Sequence, residues 1–239
     1  MSDPRIRSAA ATHVGLKRAR NEDSLIMRPE AGLWAVADGM GGHGFGDVAS
    51  RMAIDALDGV PVATSGEALL AAVEQAALAA NRDMRAFAER EGHQMMGTTL
   101  AALLMFGGHF ACLWCGDSRA YLLRAGALRQ LTRDHSETQD LVDRGVLDPA
   151  EAKLWPRRGV LTRALGAMEA PELDLVSDRW AAGDVFLLCS DGLTAHCEDS
   201  DIAAALAGDD PQAVCDGLIA LTLQRGATDN VTTIVLRCG

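Results

Sequence analysis

The sequence predicts an α+β domain in which antiparallel strands carry packed helices. Three observations support this. Short apolar segments at Thr98–Phe106, His109–Cys115, Arg119–Leu123 and Leu128–Leu131 are joined by Gly107-Gly108, Gly116-Asp117-Ser118 and Ala125-Gly126, the spacing of an antiparallel meander. Ahead of them, two stretches carry apolar residues at helical intervals. No internal repeat, low-complexity tract or Ser/Gly linker divides the 239 residues. The chain therefore reads as one domain, 1–239, with an insertion at about 137–160.

Taken in order, Met1 to Thr12 is a polar start feeding a short first strand. His13 to Ile26 reads as a charged loop in which Arg18 precedes Asn21, Glu22, Asp23 and Ser24. Leu33 to Ala37 has strand character and breaks off at Asp38, where a glycine-crowded turn begins. Helical spacing of Val48, Ala49, Met52, Ala53, Ile54 and Leu57 predicts a helix over Gly46–Leu57. Pro61, Thr64, Ser65 and Gly66 then break the chain before a longer helix, Glu67–Glu91, whose alanine-rich face implies close packing.

After the meander, Thr132 to Ser136 leads into a helix-loop-helix excursion that Pro156 ends. Such a polar excursion beside a site reads equally as a lid or as decoration of the domain. Leu161 to Gly166 returns to the sheet region. Asp184 to Cys189 is a buried-strand run closed by Ser190-Asp191-Gly192, helices are expected over 199–207 and 211–224, and Asp229 opens a closing strand, Val231 to Leu236.

A hydrophobic content of 49% with 23% charged residues is that of a soluble globular chain. The net charge of -11 argues against binding to phosphate backbones or acidic membranes, which need a basic face. No apolar run is long enough to span a bilayer and the N-terminus lacks the apolar core of a secretory signal, so a cytoplasmic location is expected, with a monomer as the default. The six cysteines are scattered through apolar segments. Cys112 and Cys115 sit in a strand-like run rather than opening a helix, so buried reduced thiols are expected.

Asp38, Asp117, Asp191 and Asp229 all fall at edges of predicted strands. Each alone reads equally as a turn residue. Together, with few histidines and no ordered thiolates around them, they favour an oxygen-ligand site for magnesium or manganese over zinc or copper.

Ordered motifs then carry a family resemblance. Arg18-x-x-Asn21-Glu22-Asp23, Asp38-Gly39-Met40-Gly41-Gly42-His43, Met96-Gly97-Thr98-Thr99, Gly116-Asp117-Ser118-Arg119, Asp134-His135-Ser136, Leu161 to Gly166, Ser190-Asp191-Gly192 and Asp229-Asn230 follow one another. In that order they resemble the bacterial branch of the metal-dependent type 2C serine/threonine protein phosphatases (the PPM family). The resemblance implies a four-layer αββα sandwich: two central antiparallel sheets flanked by helices, with a site for two Mg2+ or Mn2+ ions at one end. It implies that Asp38 bridges the ions, that the Gly39 carbonyl binds one, that Asp191 and Asp229 complete the other, and that Glu22 and Asp23 act mainly through water. Arg18 would hold the substrate phosphate, for which a guanidinium fork is well shaped. The implied reaction is in-line attack of a metal-activated water on phosphoserine or phosphothreonine of a protein, the expected target of a cognate kinase, with no covalent intermediate.

One position departs from the family pattern. Many members carry an acid four residues after the aspartate of Ser-Asp-Gly, where this chain has Ala195. A third ion, expected to use Asp117 and Asp191, should therefore bind weakly. His43 reads as a candidate proton donor to the leaving oxygen or as a loop histidine that hydrogen-bonds the backbone, and His135 as structural. Substrate choice is expected to reside in the lid segment. Alternative readings are a silent module that binds phosphoproteins and a phosphatase of small metabolites.

Overall fold

The computed structural model describes residues 6–41, 45–92, 95–157 and 159–239. Its strands are β1 (Ile6–His13), β2 (Asp23–Arg28), β3 (Leu33–Gly41), β4 (Met96–Thr98), β5 (Leu100–Phe106), β6 (His109–Cys115), β7 (Arg119–Arg124), β8 (Ala127–Gln130), β9 (Asp174–Arg179), β10 (Val185–Cys189) and β11 (Val231–Cys238). The helices are α1 (Gly46–Asp58), α2 (Gly66–Arg90), α3 (Glu137–Asp143), α4 (Pro149–Lys153), α5 (Asp191–Thr194), α6 (Asp199–Leu206) and α7 (Pro211–Gln224).

Two antiparallel sheets form the centre. One runs β1-β11-β10-β7-β8 and the other β2-β3-β5-β6-β9, with β4 paired to β3. The strand sequences explain the layering. In β3 the alternate residues Trp34 and Val36 face the other sheet, while Leu33, Ala35 and Ala37 face α1 and α2. In β10, Phe186 and Leu188 point inward, and Val185, Leu187 and Cys189 meet α6 and α7. Strands covered on both faces must be apolar on both, which is why these runs show no polar alternation. Phe110 and Phe186 close the inter-sheet core edge to face, with centroids 4.9 Å apart. The result is an αββα stack, as the family resemblance implies.

Three features differ from the sequence expectation. The expected meander is two hairpins in different sheets: β5 pairs β6, β7 pairs β8, and β6 does not pair β7. Gly116-Asp117-Ser118 therefore carries the chain from one sheet to the other, a passage whose length cannot be told from a tight turn in the sequence. The charged loop expected at His13–Ile26 contains the start of β2, which pairs with β3. An additional edge strand, β9, pairs with β6; its residues are mostly exposed and leave little hydrophobic pattern.

None of the six cysteines is in a disulfide, and all six are buried. Cys112 faces the inter-sheet core and Cys115 the helical layer, so the two thiols of the C-x-x-C lie on opposite faces of β6. Burial pushes the Cys112 and Cys115 thiols up to about 12.

Candidate metal centre

The acids gather because of the strand directions. β10 ends where its antiparallel neighbours β7 and β11 begin. Asp191 directly follows β10, Asp229 shortly precedes β11, and Asp117 shortly precedes β7. From the other sheet, Asp23 opens β2 and stands opposite Asp38 in β3. A cleft of about 230 Å3 is lined by Arg18, Glu22, Asp38, Gly39, Asp117, Asp191 and Asp229. The predicted residues thus meet, with two qualifications. Asp23 does not line the cleft and lies beneath it, and His43 falls outside the described residues.

Backbone hydrogen bonds fix Asp38. Its N–H donates to the Thr99 hydroxyl (3.0 Å) and its carbonyl accepts from the Thr98 hydroxyl (2.9 Å). The Thr99 hydroxyl is in turn 2.7 Å from that of Ser118, so Asp38 is tied to the passage that holds Asp117. Asp23 accepts at one carboxylate oxygen, Oδ2, from the hydroxyls of Ser190 (2.8 Å) and Thr232 (2.6 Å), which joins the two sheets under the cleft.

Several residues shape the site without having stood out as functional in the sequence. Asn230 accepts from the Glu22 N–H (2.8 Å) and donates to the carbonyls of Val14 and Arg20, fastening the Arg18–Glu22 loop. Gly46 has no room for a side chain: a Cβ there would lie 2.7 Å from the Gly39 carbonyl oxygen and 2.8 Å from Glu22 Oε1. Gly192 is similar, since a Cβ would come within 1.8 Å of the Asn230 carbonyl oxygen. His135, expected to be structural, accepts at Nδ1 from the Gly116 N–H (3.1 Å) and meets Asp174 through Nε2 (3.2 Å), bracing the Asp117 passage. The signal for Asn230 was its place beside Asp229.

The electrostatics call for a cation. Burial first, then repulsion from neighbouring acids, holds the Asp38 and Asp117 carboxyls well above the usual range. Burial raises Asp23 to about 7 against the help of its two hydroxyl donors. Asp191 is raised by burial and by Asp229. The Oδ1 atoms of Asp23 and Asp191 are buried without a hydrogen-bond partner. Arg18, half exposed, pairs with Asp229 at 2.5 Å.

Among the described residues no three His, Cys, Asp or Glu side chains form a chelating cluster by themselves. A hard cation that retains water and accepts backbone carbonyls does not require one. An all-oxygen ring with uncompensated buried carboxylates and the Gly39 carbonyl beside it fits magnesium or manganese.

Comparison with known proteins decides the family. The model described as protein phosphatase 2C matches residues 16–209. The chain belongs to the protein phosphatase 2C family. Serine/threonine protein phosphatase PstP of Mycobacterium tuberculosis is 43% identical over 232 residues, covering 96% of this chain and 44% of that protein. The chain thus spans less than half the length of that relative. Among solved structures, PppA, described as a key regulatory component of T6SS in Pseudomonas aeruginosa, superposes with a TM-score of 0.92 at 43% identity and 98% coverage of both chains. The catalytic domain of PstP in complex with two manganese ions gives a TM-score of 0.89 at 41% identity, with 97% of each chain covered. These phosphatase 2C structures share the two-sheet, helix-flanked architecture described above.

No described helix is long and apolar enough to cross a membrane.

Proposed function

We propose that the chain hydrolyses phosphoserine and phosphothreonine in proteins with two Mg2+ or Mn2+ ions, reversing the action of a serine/threonine kinase. The observation that carries this reading is the convergence of Asp38, Asp117, Asp191, Asp229 and Arg18 on one cleft. Asp38, Asp191, Asp229 and the Gly39 carbonyl would hold the ions, with Glu22 and Asp23 supporting them. When bound, the ions supply a water acidic enough to ionise near neutral pH and positive charge against the phosphoryl oxygens.

The residues of the chain do the rest. Arg18 reaches the cleft on a loop fastened by Asn230 and offers its guanidinium to two phosphate oxygens. Its present partner, Asp229, is itself an assigned metal ligand, so ion binding and phosphate binding draw on the two halves of one ion pair. Thr98 and Thr99 hold the Asp38 backbone in place at the floor of the cleft, which fixes where its carboxylate is presented. Residues 137–160 act as the lid, and His43 is a candidate proton donor to the leaving oxygen.

Ala195 belongs to this proposal. It lines the larger space beside Asp117 and Asp191 and offers no carboxylate there, so a third ion binds weakly.

The test is phosphate release from a phosphopeptide and from p-nitrophenyl phosphate with manganese. Activity should vanish on chelation and in Asp38→Ala and Asp191→Ala. Turnover that persists in both variants would refute the site.

A further inference from the structure

Two of the assigned ligands, Asp191 and Asp229, reach the cleft on separate segments. Asp191 opens α5, whereas Asp229 sits in the loop between α7 and β11. Their spacing therefore depends on what ties α5 to that loop. One tie is the packing of Gly192 on the Asn230 carbonyl, which leaves no room for a Cβ. Another is made by His196, in the turn between α5 and α6.

Nε2 of His196 accepts from the Thr228 N–H (3.0 Å), one residue before Asp229, and the Thr228 hydroxyl lies 3.1 Å from the same nitrogen. Because Nε2 accepts, the neutral ring carries its proton on Nδ1. The histidine is itself anchored. Its N–H donates to the Leu193 carbonyl in α5 (3.1 Å), and its carbonyl accepts from the Arg225 guanidinium (2.8 Å), which Asp201 of α6 holds bidentately (2.5 and 2.9 Å). The ring is thus a fixed post reaching from the segment of Asp191 to that of Asp229.

The loop on the far side of this post is strained. Ala227 has a φ of +28°, a left-handed backbone that residues other than glycine seldom adopt. Such backbone persists only where surrounding contacts over-determine it. Ala227 is fully buried; its N–H donates to the Thr222 carbonyl (3.1 Å) and its carbonyl accepts from the Leu16 N–H (2.9 Å). Those two bonds fix Ala227, and the His196 bond fixes the one residue between it and Asp229.

We propose that His196 is a positioning residue of the metal centre, which through Thr228 sets the place of Asp229 relative to Asp191. The inference rests on the two-ion reading and adds to it a side chain that acts on the ions only through a neighbouring loop. The role needs an acceptor at the end of a side chain of this length. Glutamine offers one at the reach of Nε2, while leucine fills similar space and has none.

Manganese binding is measured by titration calorimetry on the full chain for wild type, His196→Leu, His196→Gln and Asp229→Ala. Gln212→Leu, which breaks a side-chain bond to Asp216 on α7, is the control. His196→Leu should weaken binding by about three- to ten-fold, the scale of one lost hydrogen bond. His196→Gln should recover most of that loss, and Gln212→Leu should show none. In chelated protein, amide exchange at Thr228 should quicken in His196→Leu and return toward wild type in His196→Gln, with amides of the two sheets unchanged. Equal manganese affinity in wild type and His196→Leu, or a loss that glutamine does not recover, would overturn the role of His196. Asp229→Ala separates the two ideas. If it weakens binding and His196→Leu does not, only the histidine's role fails; if wild type binds no better than Asp229→Ala, the metal centre is misplaced and that role falls with it.

Discussion

Asp23 and Asp38 stand opposite each other across β2 and β3, and like charges in that position destabilise a sheet unless a cation offsets them. This gives the metal-free protein a distinctive pH response. The Asp23 carboxyl is raised to about 7 in the fold and titrates near 3.9 when unfolded. The native state therefore binds an extra proton between those values, so this carboxyl's contribution to stability is full below about pH 4 and is lost as pH rises through about 7. Asp201, depressed to about 2 by Arg225, has the opposite sign, but its window lies at the acid end. Chelated protein should melt at progressively lower temperature from about pH 5 to about pH 7.5, and manganese should flatten that slope. A chelated melting temperature that climbs over this range would contradict the buried-acid account. Neutralising one member should relieve the repulsion, so Asp38→Asn should stabilise chelated protein by about 1–2 kcal/mol while removing manganese-dependent hydrolysis. Acids and Arg18 were legible in the sequence because their chemistry is in the side chain. Thr99, Gly46 and Asn230 were less so, since they act by placing backbone.

The two longest helices and the closing strand were legible because length and periodicity reinforce each other in them. β2 and β9 were not: each has six residues, charged ends and an edge position, and only two residues of β2 and none of β9 are buried. The split of the meander was hidden for another reason, namely that sheet membership is decided by packing across the core. At this scale the start of α1 is the sharpest test. A Cβ on Gly46 would press on both the Gly39 carbonyl and the Glu22 carboxylate, two of the assigned oxygen donors. Gly46→Ala should weaken manganese binding by roughly ten-fold or more, of the order of 1.4 kcal/mol. Gly59→Ala at the other end of α1, where the nearest contact is an ordinary 3.5 Å, should change stability by no more than about 0.5 kcal/mol and leave manganese binding unaffected. Just after α5, Ala195→Asp should strengthen the weak third ion in a manganese titration; an unaltered weak-site affinity would remove Ala195 from the explanation.

Across the whole molecule, the layering followed from the family resemblance more than from residue patterns, because an apolar strand run shows that both faces are covered without saying by what. What the layering achieves is to bring acids from two sheets to one end. Asp38 comes from one sheet, Asp191 and Asp229 from beside the ends of strands of the other, and Asp117 from the passage between them. An ion held there ties the sheets together and is absent from the unfolded chain, so metal binding should appear as global stability. At a free concentration of about 100 times Kd, one site contributes about 2.7 kcal/mol, which for a chain of this size corresponds to a melting increment of about 5–10 °C. Asp191→Ala should lose most of that increment. Leu188→Ala, in the inter-sheet core away from the ligands, should cost roughly 2–5 kcal/mol yet retain the manganese increment, since its loss falls equally on free and loaded protein. Calorimetry of the three proteins with manganese and with chelator separates these contributions. If Asp191→Ala gains as much from manganese as the wild type does, the ions do not bind where the two sheets meet.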